Sequence, residues 1–176
     1  TYPAKFILLG AMNPCPCGFL GDKEKQCTCS EFQISRYLSR LSGPLLDRID
    51  LQVDVTRLTP DELLNMAPAK ETSADIRARV VNARKIQAER YKNDGILTNS
   101  ELDTKLIRKY CQPDKQGQEL LKSAVIKYQL SGRKYDRVLK LSRTIADPDN
   151  PHAIRPAHLM QALQYRISEA TALAHQ

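Results

Sequence analysis

The sequence predicts a truncated parallel sheet, the tail of an α/β core, followed by an all-α helical bundle. Three observations carry this prediction. Phe6-Ile7-Leu8-Leu9 is an apolar run that breaks at Gly10-Ala11, the pattern of a strand buried on both faces of a parallel sheet. Leu51, Val53 and Val55 alternate with Gln52 and Asp54, the period-two pattern of a strand. Beyond residue 70, apolar residues recur at helical spacing in segments joined by short connections. One strand cannot make a sheet, and only a few residues precede Phe6. The sequence therefore reads as part of a longer chain whose organising strand has lost its neighbours.

At 176 residues the chain has room for one ordinary domain or two small ones. Hydrophobic residues make up 41%, with no Trp and 6% aromatics, so a core would be built from Leu, Ile, Val and Ala. No signal peptide is evident and no apolar run approaches the ~18 residues of a membrane span, which points to the cytoplasm. The net charge of +7 is uneven. Residues 1–70 carry 8 Lys/Arg and 8 Asp/Glu, so the whole excess lies in residues 71–176. That shift predicts a boundary near residue 70 and an anionic partner for the second half, although a solvated helical surface gives the same count.

Taken in order, the first strand ends at Ala11-Met12-Asn13-Pro14. Asn13 stands where open α/β sheets place their working residues. Taken alone, it is a polar cap at a strand end. Cys15, Cys17, Cys27 and Cys29 follow as two Cys-x-Cys pairs around a loop. Four thiols so clustered can form a tetrahedral thiolate shell for Zn2+, and in a cytoplasmic protein this is favoured over two disulfides. The bite is tighter than the usual spacing, and four reduced cysteines in a mobile loop are the alternative. Cys111, alone in a helical segment, reads as a small core residue.

Ser30-Glu31-Phe32-Gln33 has capping-box spacing and opens a helix with Ile34, Tyr37, Leu38 and Leu41 on one face, stopping at Ser42-Gly43-Pro44. Leu45-Leu46 leads into Asp47-Arg48-Ile49-Asp50, where Arg48 taken alone pairs with Asp47 or Asp50. Residues 56–73 form a linker, with a short helix from Thr59-Pro60 and a break at Pro68. Thr72 or Ser73 caps a basic helix over about 74–92. Further helices start at Asn99 or Ser100, span about Pro113 to Gln129, begin at Ser131 and stop at Asp147-Pro148-Asp149-Asn150-Pro151, and begin again near Arg155-Pro156.

Together, Ala11-Met12-Asn13-Pro14, Leu41-Ser42-Gly43-Pro44-Leu45-Leu46-Asp47-Arg48-Ile49-Asp50 and Leu130-Ser131-Gly132-Arg133 resemble the second half of an AAA+ ATPase module. The resemblance is to the magnesium-chelatase-like branch and, because of the cysteine-rich insert, to its ComM/YifB type. It implies that residues 1–70 are the C-terminal part of the ATPase core and residues 71–176 its helical lid. It further implies that Asn13 is sensor 1, orienting the attacking water near the γ-phosphate. Arg48 becomes the arginine finger that enters a neighbouring subunit's site, worth roughly 10³–10⁵ in rate where such fingers are understood. Arg133 becomes sensor 2, beside the β/γ-phosphates. Arg137 and Arg143 are lid ion pairs or subunit contacts.

No Gly-rich phosphate loop with Lys-Ser/Thr occurs, nor an apolar strand ending in Asp-Glu to hold Mg2+. ATP and Mg2+ therefore belong to the longer protein, and this chain alone is expected not to hydrolyse ATP. The resemblance implies a homo-hexameric motor acting on DNA, of helicase or branch-migration type in transformation or recombination. The alternatives are the ATPase subunit of a metal chelatase and a zinc-stabilised nucleic-acid-binding module without motor activity.

Overall fold

All but the last helix start where a side chain can take up a free amide of the first turn. Ser30 accepts the Gln33 amide at 3.3 Å while Gln33 Oε1 takes the Ser30 amide at 2.9 Å, and this reciprocal box opens α1, Glu31–Leu38. Ser42 caps the single turn α2, Gly43–Leu46. Thr59 with Glu62 opens α3, Pro60–Leu64, and Thr72 with Asp75 opens α4, Ser73–Tyr91. A 3-10 turn at Asn99–Glu101 precedes α5, Thr104–Tyr110, capped by Asp103. Asp114 caps α6, Lys115–Tyr128, and Ser131 caps α7, Gly132–Ala146. In α8, Pro156–Gln164, proline occupies the first position, where its missing N–H costs nothing.

The structure, a computed structural model, describes residues 6–65, 71–149 and 152–166. The expected break at Pro68, the boundary near residue 70 and the Asn150-Pro151 end of the helix stop lie outside those residues.

The truncated parallel sheet is not found. The described residues are all-helical with no strand, and β pairing among them is limited to an isolated parallel bridge between Pro113 and Ile154. Phe6, Ile7, Leu8 and Leu9 are 76, 94, 65 and 94% exposed, and Leu51, Val53 and Val55 are exposed as well. An apolar run becomes a strand only when a neighbour takes its backbone bonds and buries its side chains. Among the described residues neither run has such a neighbour, so the apolar pattern remains without the element.

The core is built almost wholly between Tyr91 and Leu163, from Tyr91, Leu102, Ile107, Leu121, Val138 and Leu159 with their neighbours. Cys111 closes it as a fully buried residue whose thiol burial pushes up to about 12, in line with a packing role. Tyr91 meets Tyr110 edge-on with ring centroids 5.2 Å apart. Helices α7 and α8 pack along each other, and α6 crosses α8 at Gly117. A β-carbon there would lie 2.8 Å from Pro113 Cβ and 2.9 Å from Leu159 Cδ1, so only glycine admits this approach. In α4, by contrast, Gln87 and Tyr91 are the buried residues, and Ile76, Val80 and Val81 remain about half exposed. Among the described residues, no helix is long and apolar enough to cross a membrane.

Candidate functional site

The cysteines come together. Sγ of Cys15 lies 3.4 Å from that of Cys17 and 3.7 Å from that of Cys27, with Cys17 to Cys27 at 3.5 Å. Cys29 completes a group whose sulfurs all lie within 4.8 Å of one another. A tetrahedral zinc with bonds of about 2.3 Å needs sulfurs about 3.8 Å apart, so this donor set fits the ion. Cys15 is fully buried and the other three are partly so.

The loop is shaped locally for this convergence. The Gly18 amide donates to the Cys15 carbonyl at 3.0 Å, closing a tight turn, and Gly18 takes a φ of +83° that an L side chain rarely adopts. The turn directs the Phe19 amide at the sulfur of Cys17. That amide and the amide of Thr28 pull the Cys17 thiol down to about 5. For Cys27 the Cys29 amide acts downward, but burial and the thiols of Cys17 and Cys15 outweigh it and push the group up to about 12. Burial also raises Cys29.

Asn13 is exposed and lies beside this turn. Its side chain is 3.7–3.8 Å from where a β-carbon on Gly18 would stand, so the amide faces the side of the turn that glycine leaves open. Its expected place at a strand end is lost with the strand.

Arg48 is exposed and donates to the Pro44 carbonyl at 2.7 Å, pairing with neither Asp47 nor Asp50. Those two carboxylates turn instead to α7: Lys134 reaches Asp47 at 3.2 Å, and Arg137 bonds Asp50. Arg137 also donates to the Arg48 carbonyl at 2.9 Å, and Arg166, beyond α8, to the Ile49 carbonyl at 2.7 Å. Residues 47–50 are therefore clamped against the helix that bears Arg133. Arg133 is exposed in the first turn of α7, one turn before Arg137 on the same face. The structure thus joins the Arg48 segment to the Arg133 helix, and Asn13 to the cysteine turn.

Lys134 and Arg166 were missed in the sequence, because no local pattern announces a partner about 90 to 120 residues away. A second constellation was missed too. The fully buried Asp147 accepts from Arg90 at 2.5 Å, Arg143 at 3.0 Å, Gln87 at 2.9 Å and Asn99 at 2.8 Å. Only its Arg143 bond, at i,i+4 spacing on one helix, was open to a sequence reading. Arg143 is thus an internal ion pair, and Arg137 a contact within the chain.

Comparison with known proteins gives the lineage. Residues 1–63 match the family model of magnesium chelatase, subunit ChlI, and residues 70–166 that of magnesium chelatase, subunit ChlI C-terminal. The chain belongs to the magnesium-chelatase family. This magnesium-chelatase-family chain is 42% identical over 165 residues to the competence protein ComM of Haemophilus influenzae, covering 94% of the chain and 31% of ComM. It is 39% identical over 166 residues to YifB of Escherichia coli, covering 94% and 32%. An uncharacterised protein of Mycobacterium bovis is 38% identical over 146 residues, covering 83% and 28%. The family member described here is thus of the ComM/YifB type within the AAA+ proteins, and it spans about a third of the length of the curated relatives it matches.

Proposed function

We propose that this chain is the nucleotide-sensing part of a homo-hexameric AAA+ motor that acts on DNA, of helicase or branch-migration type. In this reading residues 1–70 serve the ATPase core and residues 71–176 the lid. Asn13 acts as sensor 1, Arg48 as the finger for a neighbouring subunit and Arg133 as sensor 2. The observation that carries the reading is the clamp on residues 47–50. Through Arg137, the helix bearing Arg133 holds the backbone of Arg48, so the two arginines belong to one connected unit. The relationship to a competence protein supports DNA as the substrate.

The residues fit a nucleotide in part. Arg48 and Arg133 are exposed guanidiniums suited to phosphate oxygens, while the sequence has no Gly-rich loop with Lys-Ser/Thr. ATP with Mg2+ supplies the phosphoryl group and part of the charge neutralisation. Asn13 can donate its amide to phosphate while accepting from water, and Arg48 offsets charge developing on the transferred group. The four cysteines are assigned to zinc as a structural site.

The test uses the full-length parent, with Arg48→Ala and Asn13→Ala made separately and ATP hydrolysis followed with and without branched DNA. Arg48→Ala is expected to lower turnover roughly 10³-fold or more with assembly intact. DNA stimulation of the unmodified protein is the accompanying expectation. Wild-type turnover in both variants would end the assignment. Salt-dependent DNA binding without hydrolysis would favour a binding module, and stimulation by a porphyrin in place of DNA a chelatase subunit.

A further inference from the structure

We propose that the Cys15–Cys29 loop is a zinc knuckle whose task is to hold Asn13 in position: the metal fixes the Cys15–Gly18 turn, and the turn carries the amide. The inference rests on the reading of Asn13 as the phosphate-facing residue and adds the device that steadies it.

Among the described residues, what lies beside Asn13 comes from the loop that follows it. Before it, Phe6 to Leu9 are largely exposed and give the amide no packed base among the described residues. After it, Cys15 is fully buried two residues on, and the chain doubles back so that a β-carbon added to Gly18 would come within 3.7 Å of the Asn13 side chain. That turn has a single backbone bond, Gly18 to Cys15. Its remaining restraint is at the sulfurs. Cys15 and Cys17 bracket the turn, and Cys27 and Cys29 approach from ten and more residues away to within 4.8 Å. Thiol contacts are weak, whereas a divalent ion bound by four thiolates, each ligating thiol giving up its proton, converts binding energy into local order. The positive φ of Gly18 closes the turn, with the amide of Phe19 on the Cys17 sulfur and the open face of Gly18 toward Asn13. Asn13 and the first two cysteines thus lie within one stretch of six residues, 13–18.

The experiment takes the 176-residue chain, labelled with nitrogen-15, and follows the side-chain amide signals of Asn13 and Asn99 during zinc removal by a chelator and zinc return. Cobalt in place of zinc reports the ligand set through the visible bands of a tetrahedral thiolate site. One zinc per chain is expected, with a shift or broadening of the Asn13 pair on chelation that zinc reverses. The Asn99 pair, held in the helical core by Asp147 and Thr144, stays in place and excludes general unfolding. Cys29→Ser is expected to move the Asn13 pair in the same direction and to lower zinc affinity by more than the roughly 10–100-fold that loss of an outer partner costs. A chain that takes up no zinc, or an Asn13 pair that is the same with and without zinc, overturns the proposal. The hydrolysis assay on Asn13→Ala in the parent decides separately whether Asn13 faces phosphate, so the two readings fail by different measurements.

Discussion

Asp147, at the end of α7, ties that helix to α4 and the 3-10 turn, 48 to 60 residues earlier in the sequence. Its carboxylate takes bonds from Gln87 and Arg90 of α4, Asn99 of the 3-10 turn and Arg143 of α7, all beneath a closed surface. The hydroxyl of Tyr91 completes the group by donating to Asn99 Oδ1 at 2.6 Å. Losing one member of a buried charge pair strands the others, and here the stranded groups are two guanidiniums, with side chains 11% and 3% exposed. Asp147→Ala is therefore expected to cost about 3–5 kcal/mol of stability in urea unfolding. The exposed pair of Arg79 with Glu71 is the contrast: Glu71→Gln should change stability by less than about 1 kcal/mol. At this scale the sequence was partly legible. Cys111 could be placed in the core, because a lone cysteine in a helical pattern packs as a small apolar residue. Asp147 could be read only as part of a helix stop, since three of its four partners lie 48 to 60 residues away.

Among the helices, rules of local spacing were the readable part. A hydroxyl at the first position with an acceptor three residues on is a complete physical device. Ser30 with Gln33 and Thr72 with Asp75 sit in the structure as that spacing implies, and Ser131 caps α7 alone. Packing between helices was not readable. Gly117 looks like a weak point within α6, since alanine is favoured over glycine by about 1 kcal/mol inside a helix. The crossing with α8 reverses this, because a β-carbon would strike Pro113 and Leu159 at under 3 Å. Gly117→Ala is expected to destabilise by about 1–3 kcal/mol through overpacking, measured by chemical denaturation. The strands failed for the complementary reason. An apolar run specifies burial, and whether burial takes the form of a sheet is decided by partner strands that the run itself does not encode.

Across the whole molecule, apolar material is distributed unequally. Nearly all of the buried cluster belongs to residues 91–163, while Phe6 to Leu9, Leu51 to Val55, Leu63 and Leu64 face outward. The earlier residues are held by contacts that include Lys134, Arg137, Arg166 and the Gln52 amide on the Tyr165 carbonyl, the side-chain ones exposed or partly so. A chain cut to residues 71–166 should therefore unfold in one cooperative transition, with stability within about 1–2 kcal/mol of the longer chain, since each such surface pair contributes about 0–1 kcal/mol. Circular dichroism through a denaturant series reads this directly.

The bond from Arg166 to the carbonyl of Ile49 spans 117 positions, and its consequence appears during synthesis. At roughly 5–20 residues per second, the Arg48 segment leaves the ribosome on the order of ten seconds before the residue that anchors it. Helix α8, which seals the core, also arrives late. For that interval the nascent chain carries its exposed leucines and valines without a completed bundle behind them. The wait of the Arg48 segment for its anchor ends only when Arg166 emerges just after α8.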